Sequence, residues 1–154
     1  MAFDIRSIKR IYEDEELNFS TDEENGVIRF SMNTQVSPDV RFNARVINPR
    51  TVMFTTILPM NVPENCRMAI SEYLTRVNYM LILGNFQLDM NDGELSYKAV
   101  GVYEEDTGLA DSVVIRLTYV GFNMFDKYMP GVFAIIYGGR SVEEAFEEAV
   151  KKED

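Results

Sequence analysis

The sequence predicts an α+β fold in which helices cover a twisted antiparallel β-sheet. In residues 61–78, apolar side chains recur about every three or four positions, which is the spacing of one helix face. Residues 84–99 instead alternate apolar and polar side chains around Asp92 and Gly93, a pair that favours a hairpin turn. Alternating segments precede this block, and helical patterns lie at both ends of the chain. The predicted order is therefore α-β-β-β-β-α-β-β-α-α-α.

The first two predicted elements are a helix over residues 3–15 and a short strand over residues 17–20. Apolar residues such as Ile8 and Ile11 recur at helical spacing. The acidic run at residues 13–16 would be unfavourable at the negative end of the helix dipole. We therefore expect the helix to end there.

Three further strands are predicted at residues 28–32, 42–46 and 51–58. The first two alternate apolar with polar side chains, and the dipeptide Asn25-Gly26 supplies the turn before them. Residues 51–58 are apolar on both sides. This pattern predicts a central strand, or one that has helices on one face and a partner on the other.

Capping boxes predict where two of the helices begin. Such a box pairs a polar N-cap residue with an acidic or amide residue three positions later. Asn61 and Glu64 have this spacing before the second helix. Ser141 and Glu144 have it before the last helix, at residues 142–150.

Two helices are predicted between the hairpin and the last helix. Apolar residues repeat at helical spacing over residues 110–128. Pro130 suits the first turn of a helix, so a separate short helix is predicted over residues 131–137. Gly138 and Gly139 would end it.

The length and charge of the chain limit its class. At 154 residues it is predicted to form a single domain over residues 1–154. The net charge of −10, from 25 acidic and 15 basic residues, disfavours binding to nucleic acid or to anionic membranes and should favour basic partner proteins. The apolar runs at residues 79–83 and 132–137 are too short to span a membrane. The first residues lack the apolar core of a signal peptide, so we expect a cytoplasmic protein.

The composition gives no sign of a reaction centre. The sequence contains no histidine, which is the commonest general base and metal ligand. Cys66, the only cysteine, has no histidine to activate it, and its place on an apolar helix stripe predicts a core residue. No phosphate-binding loop or zinc-ligand spacing occurs. We predict a protein that is not an enzyme, with no catalytic residue, no cofactor and no metal ligand.

Acidic and amide side chains crowd the tip of the predicted hairpin at residues 89–94. Counted from Asp89, a calcium-binding EF-hand loop would need glycine at the position of Glu94 and glutamate at that of Val100. A polar turn is therefore the favoured interpretation. A cation site at this tip stays an open alternative.

The chain is rich in methionine and aromatic residues, with nine Met, ten Phe and eight Tyr. Most lie on predicted inner faces, where core packing explains them. A domain of this size would not easily bury all of them, and flexible thioethers and amphipathic rings suit adaptable protein–protein surfaces. The candidate protein-binding residues are Met53, Met80, Met90, Tyr97, Tyr119 and Met129.

A series of short motifs resembles the YbjN family, whose members are described as candidate bacterial sensory-transduction regulators. The matching segments are GVIRF at residues 26–30, ILP at 57–59, VPE at 62–64, the pair Asn78-Tyr79, and GNFQLDMNDGELSYK at residues 84–98. The resemblance extends from about residue 5 to residue 145. It implies a fold like that of type III secretion chaperones, which is a twisted antiparallel sheet packed by helices and is usually dimeric.

The resemblance implies no catalytic or binding site, so the residues that carry it are interpreted structurally. Gly84 and Gly93 are expected to supply backbone freedom, and Phe86 to contact the core. Asn78 and Asp89 are expected to close the joint between helix and strand with hydrogen bonds.

Two functions are compatible with these features. The first is a non-enzymatic, chaperone-like or regulatory module that forms a homodimer and binds a segment of an unidentified client protein. The client would lie on an apolar sheet or helix surface, or would add a strand to a sheet edge. The alternative is a sensor domain that binds a small ligand or a cation between sheet and helices.

Overall fold

The computed structural model describes residues 3–151. Within that range the strands are β1 Ser20–Asp22, β2 Val27–Met32, β3 Val40–Asn48, β4 Thr51–Asn61, β5 Asn85–Leu88 and β6 Glu94–Val102. The helices are α1 Ile5–Asp14, a 3-10 helix Glu64–Cys66, α2 Arg67–Asn78, α3 Asp111–Gly138 and α4 Val142–Lys151. The strands form one antiparallel sheet in the order β1-β2-β3-β4-β6-β5. The predicted α+β class and its antiparallel sheet are confirmed.

Strand β4 lies inside the sheet, between β3 and β6, as its two-sided apolar pattern predicts. Its inward side chains, which include Val52, Phe54 and Leu58, are buried beneath the helices. The opposite side of β4 faces away from the helices.

The core lies between this sheet and the helices, and aromatic rings connect the two layers. The rings of Phe30 and Phe42, on neighbouring strands, have centroids 4.6 Å apart. The ring of Phe122 from α3 stacks on Phe30 at 5.9 Å. Such ring pairs stabilise a fold beyond the area that they bury, and they fix α3 over β2 and β3.

Two buried hydroxyl groups connect other helices to α3. The Thr118 hydroxyl donates its single proton to the Val114 carbonyl at 2.7 Å. The Tyr12 and Thr118 hydroxyl oxygens are 2.6 Å apart, so Tyr12 is the donor and Thr118 the acceptor of the bond between them. The Tyr73 hydroxyl donates to the Tyr128 carbonyl at 2.8 Å. Burial raises the pKa of Tyr12 and of Tyr73, since it penalises the charged phenolate. Helices α1 and α2 are thus each bonded to α3.

The first strand lies later in the chain than predicted. Residues 17–19 form an irregular connection, and β1 occupies Ser20–Asp22. Glu16 has a positive φ of 59°, and the N–H of Leu17 bonds to the Tyr12 carbonyl at 3.0 Å. The end of α1 therefore continues into a tight turn, which uses the residues that were predicted to begin the strand.

A single helix replaces the two that were predicted before the last helix. Helix α3 continues through Pro130 to Gly138, although proline lacks the N–H that would bond to Asp126. The next residue, Gly131, lies so close to Tyr73 that a Cβ would overlap the tyrosine hydroxyl. Helices α2 and α4 both pack against α3. Tertiary packing thus overrides the local penalty of the proline.

One of the two predicted capping boxes is present. The N–H of Ser141 donates to the Glu144 carboxylate at 3.0 Å, and the N–H of Glu144 donates to the Ser141 hydroxyl at 3.1 Å. The box predicted at Asn61 and Glu64 is wrong: Asn61 is the last residue of β4, and the 3-10 helix that follows has no side-chain cap. The chain leaves the strand through Pro63, so Asn61 is still extended where a cap would be needed.

Candidate protein-binding surfaces

The helices pack on one face of the sheet and leave the other face uncovered. Burial alternates along β2 and β3, with apolar side chains under the helices and polar ones outward. We call the outward surface of β2, β3, β4 and β6 the open face. Its members are Val27, Arg29, Ser31, Arg41, Asn43, Arg45, Thr51, Met53, Thr55, Ile57, Glu94, Ser96, Lys98, Val100 and Val102. Of these, Val27, Thr55 and Ser96 are themselves buried.

The strand register arranges the open face in rows across the strands. One polar row consists of Arg29, Asn43, Thr55 and Lys98. The adjacent row consists of Val27, Arg45, Met53 and Val100. Successive rows are separated by two residues along a strand, or about 7 Å. A partner lying on the open face would therefore meet basic and apolar side chains within a short distance of each other.

Four of the five charged members of the open face are basic, and the fifth is Glu94, which is exposed at the hairpin end of β6. The basic members are Arg29, Arg41, Arg45 and Lys98, and none of them forms an ion pair with a carboxylate among residues 3–151. Asp22, on the adjacent strand β1, has a pKa below its usual value because Asn25 hydrogen-bonds to it, with a smaller contribution from the charge of Arg29. The open face is thus a basic area on a protein of net charge −10.

Residues 79–83, between α2 and β5, form a second candidate surface, which we call the apolar segment. Its sequence is YMLIL. The side chains of Tyr79 and Ile82 are 93% and 94% exposed, and Met80 and Leu83 are also exposed. Consecutive exposed apolar residues on a folded domain mark an interaction surface.

A tight turn at the end of α2 begins the apolar segment. The N–H of Met80 donates to the Val77 carbonyl at 2.9 Å, and the N–H of Leu81 donates to the Asn78 carbonyl at 3.1 Å. These bonds turn the chain away from the helix axis. Val77 is buried, whereas Tyr79 is almost fully exposed.

Two features close the other end of the apolar segment. The Asn78 side chain bonds to the backbone of Phe86, as predicted for this joint. A Cβ on Gly84 would lie 2.5 Å from the Lys98 carbonyl oxygen, so glycine is needed there for close approach to β6. The predicted backbone freedom is confirmed for Gly93, whose φ is 83°, and not for Gly84.

A cleft of about 380 Å³ lies between the apolar segment and α3. Met80, Leu83 and Met124 contribute apolar surface to it, and Arg116 contributes a positive charge. Tyr97 lines its floor from the inner side of β6. The cleft therefore lies between the sheet and a helix, where the sensor hypothesis places a ligand.

The structure brings together only some of the six predicted binding residues. Met80 and Tyr97 line the same cleft. Met53 lies on the open face, opposite Val100. Met90 is 45% exposed in the hairpin loop, where its carbonyl accepts a hydrogen bond from Arg67.

The remaining predicted residues lie at or inside the core. Met129 is completely buried, and Tyr97 is only 2% exposed although it borders the cleft. Met129 belongs to the buried core cluster. Tyr119 is half-buried on α3, and burial is the main reason that its pKa is raised. The core thus accommodates more of the large side chains than the composition predicts.

The acidic side chains at the hairpin tip bond to local backbone groups. The Asp89 carboxylate accepts the N–H of Asn91 at 2.8 Å, and the Asp92 carboxylate accepts the N–H of Glu94 at 2.9 Å. Asp89 therefore stabilises the hairpin turn and not the helix-to-strand joint for which it was predicted. No group of three or more Cys, His, Asp or Glu side chains in the described part of the chain could hold a metal ion.

Cys66 packs against the core, as predicted, and is partly exposed. It is the last residue of the 3-10 helix and directly precedes α2. The 3-10 helix turns it toward the edge of the core, so the helical spacing from Val62 overstates its burial.

The sequence contained signals for both surfaces that the prediction did not use. The apolar run at residues 79–83 has neither the period of a strand nor a length suited to a helix, so it has no natural place in a core. In β2 and β3 the residues alternating with the buried ones include Arg29, Arg41 and Arg45. Their common side becomes visible only when the strands are placed in register.

The comparisons with known proteins concern the fold. No protein-family model matches the sequence, and no curated protein matches it. No helix within residues 3–151 is long and apolar enough to cross a membrane. The structure is similar to the crystal structure of YbjN from E. coli, a candidate transcription regulator, with a TM-score of 0.57 and 13% sequence identity over 80% of this chain and 89% of that chain. This chain therefore has a YbjN-like fold, as its sequence motifs predict.

Proposed function

We propose that this protein is a non-enzymatic, chaperone-like or regulatory protein-binding module that works as a homodimer. The observation that supports this proposal is the one-sided sheet, whose open face and adjoining apolar segment are left uncovered. An exposed apolar patch such as the apolar segment is typical of surfaces that bind another protein. The structural neighbour YbjN, a candidate transcription regulator, is compatible with a regulatory role.

The apolar segment suits the dimer interface. It carries no charge, and interfaces between permanently associated copies are more apolar than transient ones. Tyr79 and Ile82 are exposed enough to insert into a second copy. A two-fold axis would cover the same segment in both copies at once.

The open face suits the client better than either edge of the sheet does. Edge strand β1 has only three residues, and a template of that length offers few backbone hydrogen bonds. On the other edge strand, β5, the N–H and carbonyl of Phe86 are both bonded to Asn78. Strand addition is therefore disfavoured at both edges, and a client would rest on the side chains of the open face.

Light scattering of purified variants tests the dimer. We expect the wild type to be a dimer and Ile82→Ser to be a monomer, because the substitution removes apolar area from the interface. The matched control is Met68→Ser, which removes a side chain that is 75% exposed at the start of α2. A monomeric wild type would contradict the dimer, and equal effects of the two substitutions would contradict the apolar segment as its interface.

Site-specific crosslinking in cells tests the client surface. A photo-crosslinking amino acid replaces Val100 on the open face in one variant and Tyr137 on α3 in another, since both side chains are exposed. We expect protein adducts from the first position and not from the second. Adducts at neither position, or equal adducts at both, would contradict a client on the open face.

The cleft beside the apolar segment favours a sensor as a second candidate function. Its volume of about 380 Å³ is within the range of small-molecule sites, and Arg116 could bind an anionic group. Under this hypothesis, small apolar carboxylates should raise the melting temperature, and Arg116→Gln should abolish the shift. A flat response to a broad panel of such ligands would count against the sensor.

A further inference from the structure

The charge of the open face is opposite to the charge of the whole protein. Many basic residues elsewhere lie beside carboxylates, as Arg10 does beside Asp111 and Arg76 beside Glu143. The basic residues of the open face have no such partner among residues 3–151. They are therefore available to an external negative charge.

We propose that the open face binds an acidic protein segment that also carries apolar residues. This inference rests on the proposed function above and specifies the chemistry of the client. It reverses the expectation from net charge, which favours basic partners. The surface that is free to bind has the opposite sign from the chain average.

A depression on the open face offers an anchor for a carboxylate. It has a volume of about 600 Å³, and Arg29 and Arg41 line it together with the polar side chains of Ser31 and Asn43. Arg29 pairs with Asn43 and Arg41 with Ser31 in the β2–β3 register, so the two arginines are diagonal neighbours about 7–8 Å apart. A glutamate or aspartate between them could accept charge-assisted hydrogen bonds from either guanidinium.

Asp39 also lines this depression, and its charge reduces the positive potential there. It lies at the start of β3, with φ at 55° and its N–H bonded to the Asn33 side chain at 2.9 Å. Asp39 lies immediately before β3, and the charge of Asp22 acts on Arg29, so a client carboxylate is expected to lie between the two arginines, away from both acids.

Apolar side chains lie next to these arginines, which is why we expect the client segment to carry apolar residues as well as acidic ones. Met53 and Val100 face each other across β4 and β6. Val102, which follows Val100 on β6, is 74% exposed. Covering these groups contributes roughly 25 cal/mol for each Å² of apolar area removed from water. A purely acidic chain would leave that area uncovered.

Nucleic acid and a second open face fit this surface less well. The strand residues of the open face are not aromatic, and of the phenylalanines that line its depression Phe30 and Phe42 are buried while Phe19 is only partly exposed, which leaves little ring surface for stacking a base. The remaining charge of the protein, which is −10 overall, repels a phosphate backbone. Two open faces packed on each other would bring like charges together.

Fluorescence anisotropy with labelled peptide pools tests the proposal on the full chain. The pools are short peptides in which apolar residues alternate with glutamate, with glutamine or with lysine, and a single-stranded oligonucleotide is the fourth probe. We expect the glutamate pool to bind about tenfold more tightly than the glutamine pool, with weakening by added salt, and no binding of lysine peptides or oligonucleotide.

Two charge-matched variants locate the binding. Arg29→Gln/Arg41→Gln should lower affinity for the glutamate pool to that for the glutamine pool. Arg10→Gln/Arg76→Gln, which removes the same charge on the helix side, should leave it unchanged. Circular dichroism verifies that both variants are folded.

Each other outcome is informative. Equal binding of the glutamate and glutamine pools, unaffected by Arg29→Gln/Arg41→Gln, would overturn the acidic-client proposal but leave the protein-binding function standing. Binding of the oligonucleotide above the peptides would overturn the proposal in favour of nucleic acid. Absence of binding to every peptide pool would contradict both the proposal and the function on which it rests.

Discussion

The side chain of Asn78 is hydrogen-bonded to both backbone polar groups of Phe86. Its amide nitrogen donates to the Phe86 carbonyl at 3.0 Å, and its amide oxygen accepts the Phe86 N–H at 2.8 Å. Asn78 thereby occupies the place of a neighbouring strand at the edge of β5. The same contact joins the two ends of the apolar segment, so it holds that segment at the surface.

Replacing Asn78 should destabilise the fold and open this edge. We expect Asn78→Ala to lower the free energy of unfolding by about 1–3 kcal/mol, because the two backbone groups lose their partner. Asn78→Asp should not restore the loss, since a carboxylate can accept the Phe86 N–H but places an oxygen without a proton against the Phe86 carbonyl. Urea unfolding measures both. The control is Asn85→Ala on the same strand, and an equal loss there would contradict the role of Asn78.

Replacing glycine by alanine should change the stability of the fold in opposite directions at two positions of α3. A Cβ on Gly121 would overlap the Thr56 side chain, whereas a Cβ on Gly138 would meet no atom within 4 Å. Gly121→Ala should therefore cost about 1–3 kcal/mol of stability, and Gly138→Ala should add about 0.5 kcal/mol through helix propensity. Thermal unfolding should show opposite shifts. Shifts of the same sign would contradict the packing described here.

A second substitution isolates the cause of the Gly121 effect. Thr56→Ala removes the group that the new methyl would meet, so Gly121→Ala should cost less in that background than in the wild type. The difference is the coupling energy of a double-mutant cycle. Additive effects would show that the contact with Thr56 is not the source of the strain.

Local patterns predict the fold well where they act within one element. The alternation in β3 and the pairing of Ser141 with Glu144 depend on neighbouring residues only, and both are confirmed. Predictions fail where a distant contact decides. Pro130 stays inside α3, a helix against which α2 and α4 both pack, and no residue near Pro130 in sequence signals that outcome.

The composition of the chain predicts that a binding surface exists, but the sequence does not predict which residues form it. The excess of methionine and tyrosine indicates a surface, but Met129 fits inside the core while Ile82 does not. Arg29 and Lys98 are far apart in sequence and share a row only through the pairing of β2, β3, β4 and β6. Net charge is a sum over the whole chain, so it cannot reveal that the basic residues are gathered on one face of the sheet.

Removing the hydrogen bond between Tyr12 and Thr118 should cost a different amount of stability depending on which of the two residues is replaced. Tyr12→Phe leaves the Thr118 hydroxyl bonded to the Val114 carbonyl, so we expect a loss of about 0.5–1.5 kcal/mol. Thr118→Val keeps the shape but leaves the buried Tyr12 hydroxyl without its acceptor, which should cost about 1–3 kcal/mol. Urea unfolding compares the two variants. A larger loss for Tyr12→Phe would contradict the direction assigned to this bond.

The buried tyrosines should make the fold sensitive to alkali. Burial raises the pKa of Tyr12 and Tyr73 above the ordinary value of 10.0. Above about pH 10 the unfolded chain releases these protons and the folded chain keeps them, so the free energy of unfolding falls as pH rises, by up to about 1.4 kcal/mol per pH unit for each tyrosine. Below that pH both states hold the protons and stability is unaffected.

Urea unfolding between pH 9 and 11 measures this dependence. Tyr12→Phe should make the free energy of unfolding fall less steeply with pH. The control is Ile8→Val, which weakens the same helix without removing a titrating group, so it should lower the free energy of unfolding at every pH and keep the slope. An unchanged slope in Tyr12→Phe would show that this phenol does not resist ionisation in the folded protein.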